Sequence, residues 1–190
     1  MHPFILIEGL DRTGKSTIAR RVAEAMGGRQ LHSPPDVLVP FRAGFDSLSD
    51  DEINFCFYLV GNHVLNQQIA KILKRSPVVL DRHFPSTVAY HSPKLGRNLD
   101  YCLEGMSPLP NRIYYLTGDL DVLDERARVT CTRNDRFHGF DYWRQVASHY
   151  DRIFKGNETV VRVDTTDMAE DVVYKFVFGD LKESGLFVEG

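Results

Sequence analysis

The eight residues Gly9-Leu10-Asp11-Arg12-Thr13-Gly14-Lys15-Ser16 constrain this chain more than any other feature. They fit the pattern of glycine, any four residues, glycine, lysine, then serine or threonine, and average residue usage puts a chance match in a chain of this size at about 1%. The flanks are those the pattern needs. Phe4-Ile5-Leu6-Ile7 is a continuous apolar run, as in a strand buried on both faces. From Lys15 to about Ala25 the chain reads as a helix, ended by Gly27-Gly28. In a strand, loop and helix of this kind, backbone N–H groups point at phosphate oxygens and the helix start adds its positive end. Lys15 then reaches the β- and γ-phosphates and Ser16 ligates Mg2+, so a nucleoside triphosphate is the expected ligand.

The rest of the chain repeats the alternation. Arg29–His32 reads as a short strand, and Pro77–Leu80, Arg112–Leu116 and Thr159–Val163 as buried strands. Helices are predicted over 86–91, 119–129, 140–154 and 168–178. Ser33-Pro34-Pro35 forces an extended turn, and 33–48 reads as loop. Ser49-Asp50-Asp51-Glu52 reads as a capping box opening a helix from Asp50 to about Lys74. Its first half, with Ile53, Phe55, Cys56, Phe57, Tyr58, Leu59 and Val60, is apolar all round, which predicts burial on several sides. Strands alternating with helices at this spacing imply an α/β fold: a P-loop NTPase three-layer α/β/α sandwich on a five-stranded parallel sheet. One domain over 1–190 is expected, with a lid at about 130–138.

Composition narrows the partners. The chain has 190 residues, with 23 Lys and Arg against 26 Asp and Glu, so its net charge of −3 supplies no field for a nucleic-acid backbone. Cys56, Cys102 and Cys131 are too widely spaced for a zinc ribbon and read as reduced intracellular thiols. No apolar stretch approaches the ~18 residues of a membrane span, and the loop begins too early to leave room for a leader, so a cytoplasmic protein is expected. None of the seven histidines has the i, i+4 spacing of a helical metal site. Trp143, with Phe140 and Val146, sits at helical spacing and reads as core.

Phosphoryl transfer asks a protein mainly for positioning and for cations around the transferred group. Asp81-Arg82 closes the third strand, at the carboxyl edge where open α/β sheets bind ligands. Arg82 there can fork onto an acceptor phosphate or simply pair with Asp81. Arg42, in the loop after the second strand, is a weaker candidate. Arg133 and Arg136 form either a lid over the triphosphate or a solvated charged loop.

Two stretches together resemble the thymidylate kinase family: Ile7 to Thr17 its phosphate loop, and Asp81-Arg82-His83-Phe84-Pro85-Ser86-Thr87-Val88-Ala89-Tyr90 its second signature. The resemblance continues through Pro110–Leu116 and Asp135-Arg136, over about 3–155. It implies that Gly9, Leu10, Asp11, Arg12, Thr13, Gly14, Lys15, Ser16, Thr17 and Arg133 surround ATP, with Arg12 on the γ-phosphate. Asp11 and Arg82, helped by Arg42, would hold the acceptor monophosphate. Ser16 and Asp81 would serve the metal, Asp81 through water, and Arg136 would be the lid arginine. Ser86 and Tyr90 would line the nucleoside pocket. A homodimer is also implied.

The long helix departs from the family pattern. Where thymidylate kinases carry a stacking Phe and an Arg for the thymine edge, the matching positions here read as Leu59 and His63. Leu31-His32-Ser33-Pro34-Pro35 and Phe57-Tyr58-Leu59-Val60-Gly61-Asn62-His63 are instead similar to the thymidylate-kinase-like mitochondrial UMP-CMP kinase branch. Asn62, His63 and Asn66 would be satisfied either by a base edge or by neighbouring backbone.

The expected function is therefore an ATP- and Mg2+-dependent nucleoside monophosphate kinase acting on dTMP, dUMP, dCMP, CMP or UMP. Lys15, Arg12, Arg82, Asp11 and Arg136 form its catalytic set. Two alternatives stand beside it. One is a nucleoside kinase using Glu8, the only carboxylate candidate at that strand end, as base for a sugar hydroxyl. The other is an ATP-binding regulatory protein without transfer.

Overall fold

A computed structural model describes residues 2–130 and 139–187. Five parallel strands form one sheet: β1 Phe4–Gly9, β2 Arg29–His32, β3 Val78–Asp81, β4 Arg112–Thr117 and β5 Val160–Asp164, in the order β2-β3-β1-β4-β5. Every residue of β1 is buried. Its alternation divides the core. Ile5 and Ile7 face Ile18, Ala19 and Val22 of α1 (Lys15–Ala25) and Val173, Val177 and Leu181 of α7 (Glu170–Glu183). Phe4 and Leu6 point the other way, onto the layer formed by α3 (Asp51–Ile72), α4 (Phe84–Leu95), α5 (Leu120–Thr130) and α6 (Gly139–Phe154). The three layers follow from strands that are apolar on both faces.

Register places the site. Ile7 pairs with Asp81 and Gly9 with Leu116, so the carboxyl ends of β1 and β3 open onto one edge. At Gly9, a Cβ would lie 2.0 Å from the Leu116 carbonyl oxygen, and φ is +138°. Glycine is required there by both contact and conformation.

Three expectations are corrected. The segment 33–48 holds a helix, α2 (Val39–Ser47), with Pro40 in its first turn. None of its residues is buried, so it lacks the apolar periodicity that would reveal it. Second, α3 is capped by Asp50, whose carboxylate accepts the N–H of Glu52 at 2.9 Å and of Ile53 at 3.0 Å. Ser49, at φ +54°, is not the cap, so no capping box forms. Third, α3 is not buried all round: Phe55 and Phe57 are enclosed, whereas Ile53, Cys56 and Val60 are exposed. The fold also contains a 3-10 helix, Asp100–Gly105, that carries Cys102 into a small cluster with Phe55, Phe84, Val88 and Leu99.

Candidate active site

Lys15 is the first residue of α1, and Gly14 caps that helix in the left-handed region. The buried Lys15 ammonium turns back on its own loop, donating to the Leu10 carbonyl and lying 3.4 Å from Thr13 Oγ1. Burial, then the Arg82 charge, pulls its pKa down to about 8, against the opposing pull of Asp11, Asp81 and Glu8. Such a group gains most from a polyanion.

Ser16 Oγ donates to Asp81 Oδ2 at 2.5 Å, which joins the loop to the end of β3. The second oxygen of Asp81, Oδ1, is buried without a hydrogen-bond partner among the described residues. A hydroxyl beside a carboxylate with one unsatisfied oxygen suits Mg2+, which takes oxygen ligands, keeps several waters and draws the rest from phosphates.

Arg82 follows β3 with φ +71°, its N–H held by the Ile7 carbonyl at 3.0 Å. Its guanidinium donates to the Gly9 carbonyl and to Ser86 Oγ, both at 3.1 Å, to the Asp11 carboxylate, and to the Tyr90 hydroxyl at 3.3 Å. It also lies 5.0 Å from the Tyr90 ring centroid. Burial works against its charge, but Tyr90, Asp11, Tyr150 and Asp81 hold the pKa well above the usual arginine value. Desolvation pushes the Asp11 carboxyl up; Arg82, Lys15 and Arg12 outweigh it and hold the group below its ordinary range. Asp11, Arg82, Ser86 and Tyr90 are thus brought together within one network.

Glu8 has no exposed surface. Oε1 accepts the N–H of His83 at 2.8 Å and of Ser86 at 3.3 Å, satisfying donors at the start of α4. Oε2 accepts the Ser86 hydroxyl at 2.5 Å and the Tyr150 hydroxyl at 2.9 Å. Burial nevertheless pushes its pKa up, with Ser86, Arg82, His83 and Tyr150 opposing. With both oxygens engaged inside the protein, Glu8 has no access to a sugar hydroxyl, and the nucleoside-kinase alternative loses its base.

Leu59 packs on the cluster around Phe84, and the exposed His63 meets the Phe84 ring edge-on at 5.3 Å. The Tyr58 ring lies 5.6 Å from that of His91, and its hydroxyl feels the charges of Arg42, Asp46, Arg82 and Asp11, although burial dominates in raising its pKa. Asn62 Nδ2 donates to Thr87 Oγ1 at 2.9 Å, while its buried Oδ1 has no partner among the described residues. Asn66 is bonded to backbone, to the Gly105 carbonyl at 2.7 Å. Arg42 belongs to α2 rather than to a loop, is exposed, and lies 3.5 Å from Asp46. Trp143 is partly buried against the core, 5.9 Å from the Tyr90 ring. Arg133 and Arg136 lie outside the described residues.

On the other side of Lys15 opens a cleft of about 240 Å3, walled by Arg12 and Gly14 of the loop, Arg126 of α5, and Thr165, Met168 and Glu170 beyond β5. Arg126 Nη2 donates to the carbonyls of Thr165 at 2.8 Å and Thr166 at 2.9 Å, tying α5 to the segment after β5. Arg12 and Gly14 of this wall are expected around ATP, whereas Arg126, Thr165, Met168, Glu170 and Tyr58 are not singled out by the sequence. An aromatic and an amide at i, i+4, as Tyr58 and Asn62 are, was the available sign.

A glycine-rich loop between a buried strand and a helix, with Arg82 brought to the same edge of a parallel sheet, is the arrangement of a P-loop phosphotransferase. The chain belongs to the thymidylate kinase family, whose model matches residues 7–176. It is thus an ATP-dependent nucleoside monophosphate kinase. The human mitochondrial UMP-CMP kinase 2 is 39% identical over 74 residues, which span 39% of this chain and 16% of that protein. A probable thymidylate kinase of Picrophilus torridus is 25% identical over 192 residues, covering 92% of this chain and 91% of the relative. The thymidylate kinase structure from Candida albicans superposes with a TM-score of 0.81 at 22% identity, covering 100% of this chain and 96% of that one, and so shares the fold.

Proposed function

We propose that the chain transfers the γ-phosphoryl group of Mg-ATP to the 5'-phosphate of dTMP or a related pyrimidine monophosphate, dUMP, dCMP, CMP or UMP. The observation that carries this reading is the Arg82 guanidinium, facing the phosphate loop and braced by Asp11, Ser86 and Tyr90. An acceptor phosphate is already a competent nucleophile, so the protein supplies alignment and charge neutralisation rather than a strong base. Lys15 leaves its loop contacts for the β- and γ-phosphates, and Arg12 closes on the γ-phosphate from the same loop. Arg82 holds the acceptor phosphate, with Arg42 approaching from α2 and Arg136 acting from the lid. Ser16 and Asp81 would hold Mg2+, which neutralises phosphate charge when bound. Tyr58 and Tyr90 flank the nucleoside. The free Oδ1 of Asn62 takes a donor from the base edge, either the ring N–H of thymine and uracil or the amino group of cytosine.

The net charge supports small nucleotides rather than nucleic-acid polymers as partners. No helix among the described residues is long and apolar enough to cross a membrane, and the free thiols of Cys56 and Cys102 support a cytoplasmic location. Exposed Phe41, Leu48, Ile53 and Val60 on and beside α2 and α3 support a homodimer. ADP release from ATP, measured with dTMP, dUMP, dCMP, CMP and UMP in turn, tests the function. Acceptor-dependent release with at least one of them is expected; a rate equal to ATP alone for all five would refute it.

A further inference from the structure

Behind Arg82 lies a buried cluster that takes no direct part in the transfer. Ser86 Oγ is 2.5 Å from Glu8 Oε2 and 2.6 Å from the Tyr150 hydroxyl, and that hydroxyl is 2.9 Å from the same Glu8 oxygen. The three oxygens form a closed triangle. The Ser86 proton goes to the carboxylate, so Ser86 Oγ is left with lone pairs, and one of them receives the Arg82 N–H at 3.1 Å. Tyr150 donates within the triangle, to Glu8 or to the remaining lone pair of Ser86.

The guanidinium has four rests. Asp11 and Tyr90 stand on the side that nucleotides approach, whereas Ser86 Oγ is fixed from behind by two fully buried groups, and the Gly9 carbonyl, itself buried, lies 3.4 Å from the Tyr150 hydroxyl. Arg82 needs such a brace, because its backbone at φ +71° has left the extended strand conformation. Tyr150 can supply it without moving itself: its ring stacks on Tyr115 at 5.1 Å and on Phe154 at 5.8 Å.

We infer that Tyr150 is a positioning residue for the acceptor phosphate: its hydroxyl locks Glu8 and Ser86 so that Ser86 Oγ sets the angle of the Arg82 fork. The inference rests on the reading that Arg82 holds that phosphate. A planar fork discriminates by orientation, so a small rotation weakens a bidentate grip without removing the charge. A buried tyrosine that merely satisfied its hydroxyl would instead affect stability alone.

The test compares Tyr150→Phe, Ser86→Ala, the double variant and Arg82→Ala in steady-state kinetics with ATP and the best of the five monophosphates, recording each thermal midpoint. Tyr150→Phe keeps the stacked ring, and Ser86→Ala interrogates the same relay should the first variant fold poorly. Each should raise the acceptor KM about 10-fold, the loss of one charge-assisted hydrogen bond, while the ATP KM stays within about 2-fold. The double variant should be little worse than the more damaged single, since both act mainly through Ser86 Oγ, 2.6 Å from the Tyr150 hydroxyl, and the second approach of that hydroxyl, to the Gly9 carbonyl, is the longer one at 3.4 Å. An unchanged acceptor KM in Tyr150→Phe, equal losses toward both nucleotides, or additive losses in the double would overturn the relay, even where Arg82→Ala abolishes acceptor binding. An Arg82→Ala enzyme with normal acceptor KM would overturn the underlying reading and the relay together.

Discussion

The two sides of the phosphate loop are built differently. On the donor side, Lys15 folds back on Leu10 and Thr13, and the cleft beyond it is walled by separate segments: the loop, α5 and the chain after β5. On the acceptor side, Arg82, Asp11, Ser86, Tyr90, Glu8 and Tyr150 are already cross-linked by side-chain hydrogen bonds. The donor must pull a lysine out of internal contacts, whereas the acceptor meets groups largely in place. Preorganisation lowers the ordering cost of binding, so the contrast assigns alignment to the acceptor side and charge transfer to the donor side.

The largest effect that could break this contrast is Lys15→Ala. Its kcat should fall by roughly 10^3-fold, on the scale of removing one preorganised electrostatic group, while acceptor affinity measured by calorimetry without ATP is retained. A parallel loss of acceptor affinity would show that the two sides do not separate.

A smaller effect sharpens the acceptor side. Tyr58→Ala should raise the acceptor KM about 10-fold, as expected for loss of an aromatic platform, with the ATP KM unchanged. Leu59→Ala, one position on, should leave both constants alone and cost about 2 kcal/mol of stability, because Leu59 packs on the Phe84 cluster. Kinetics and thermal melts of the pair decide which helix face meets the base; reversed outcomes would restore Leu59 to it.

The smallest effect is a pH dependence confined to the donor side. The Lys15 pKa is lowered to about 8 in the free protein, so above pH 8 the amine is increasingly neutral. Bound triphosphate favours the charged form, so binding there must take up a proton. ATP affinity should fall by about 3-fold to 10-fold per pH unit above 8, and calorimetry in buffers of different ionisation enthalpy should register the uptake. Flat affinity between pH 7.5 and about 9.5 would place the lysine elsewhere.

Legibility in the sequence follows the distance over which each feature is encoded. The phosphate loop is contiguous, and α1 begins and ends where its glycines and apolar spacing indicate. β2 also matches its predicted span. α2 escapes because, although Phe45 meets the Phe57 ring at 4.7 Å, none of its residues is fully buried and its sequence carries no apolar stripe at helical spacing. Ser49 and Asp50 can each cap a helix, and only the backbone geometry chooses Asp50. On α3 a step of one residue is a rotation of about 100°, so whether Tyr58 or Leu59 meets the base is a matter of helix phase that no local pattern reports. Tyr150 reaches Glu8 across 142 positions of chain, a contact that no local pattern announces.

Gly9 ends the third of five strands in spatial order, hemmed in by the Leu116 carbonyl beside it. Lys15 opens α1 a loop's length beyond that central strand, so its side chain, rather than the strand, has to swing from Leu10 and Thr13 toward a phosphate. Turnover has to be timed at the periphery: nucleotides come and go past a fixed centre, and engineering meant to speed product escape belongs in the outlying helices.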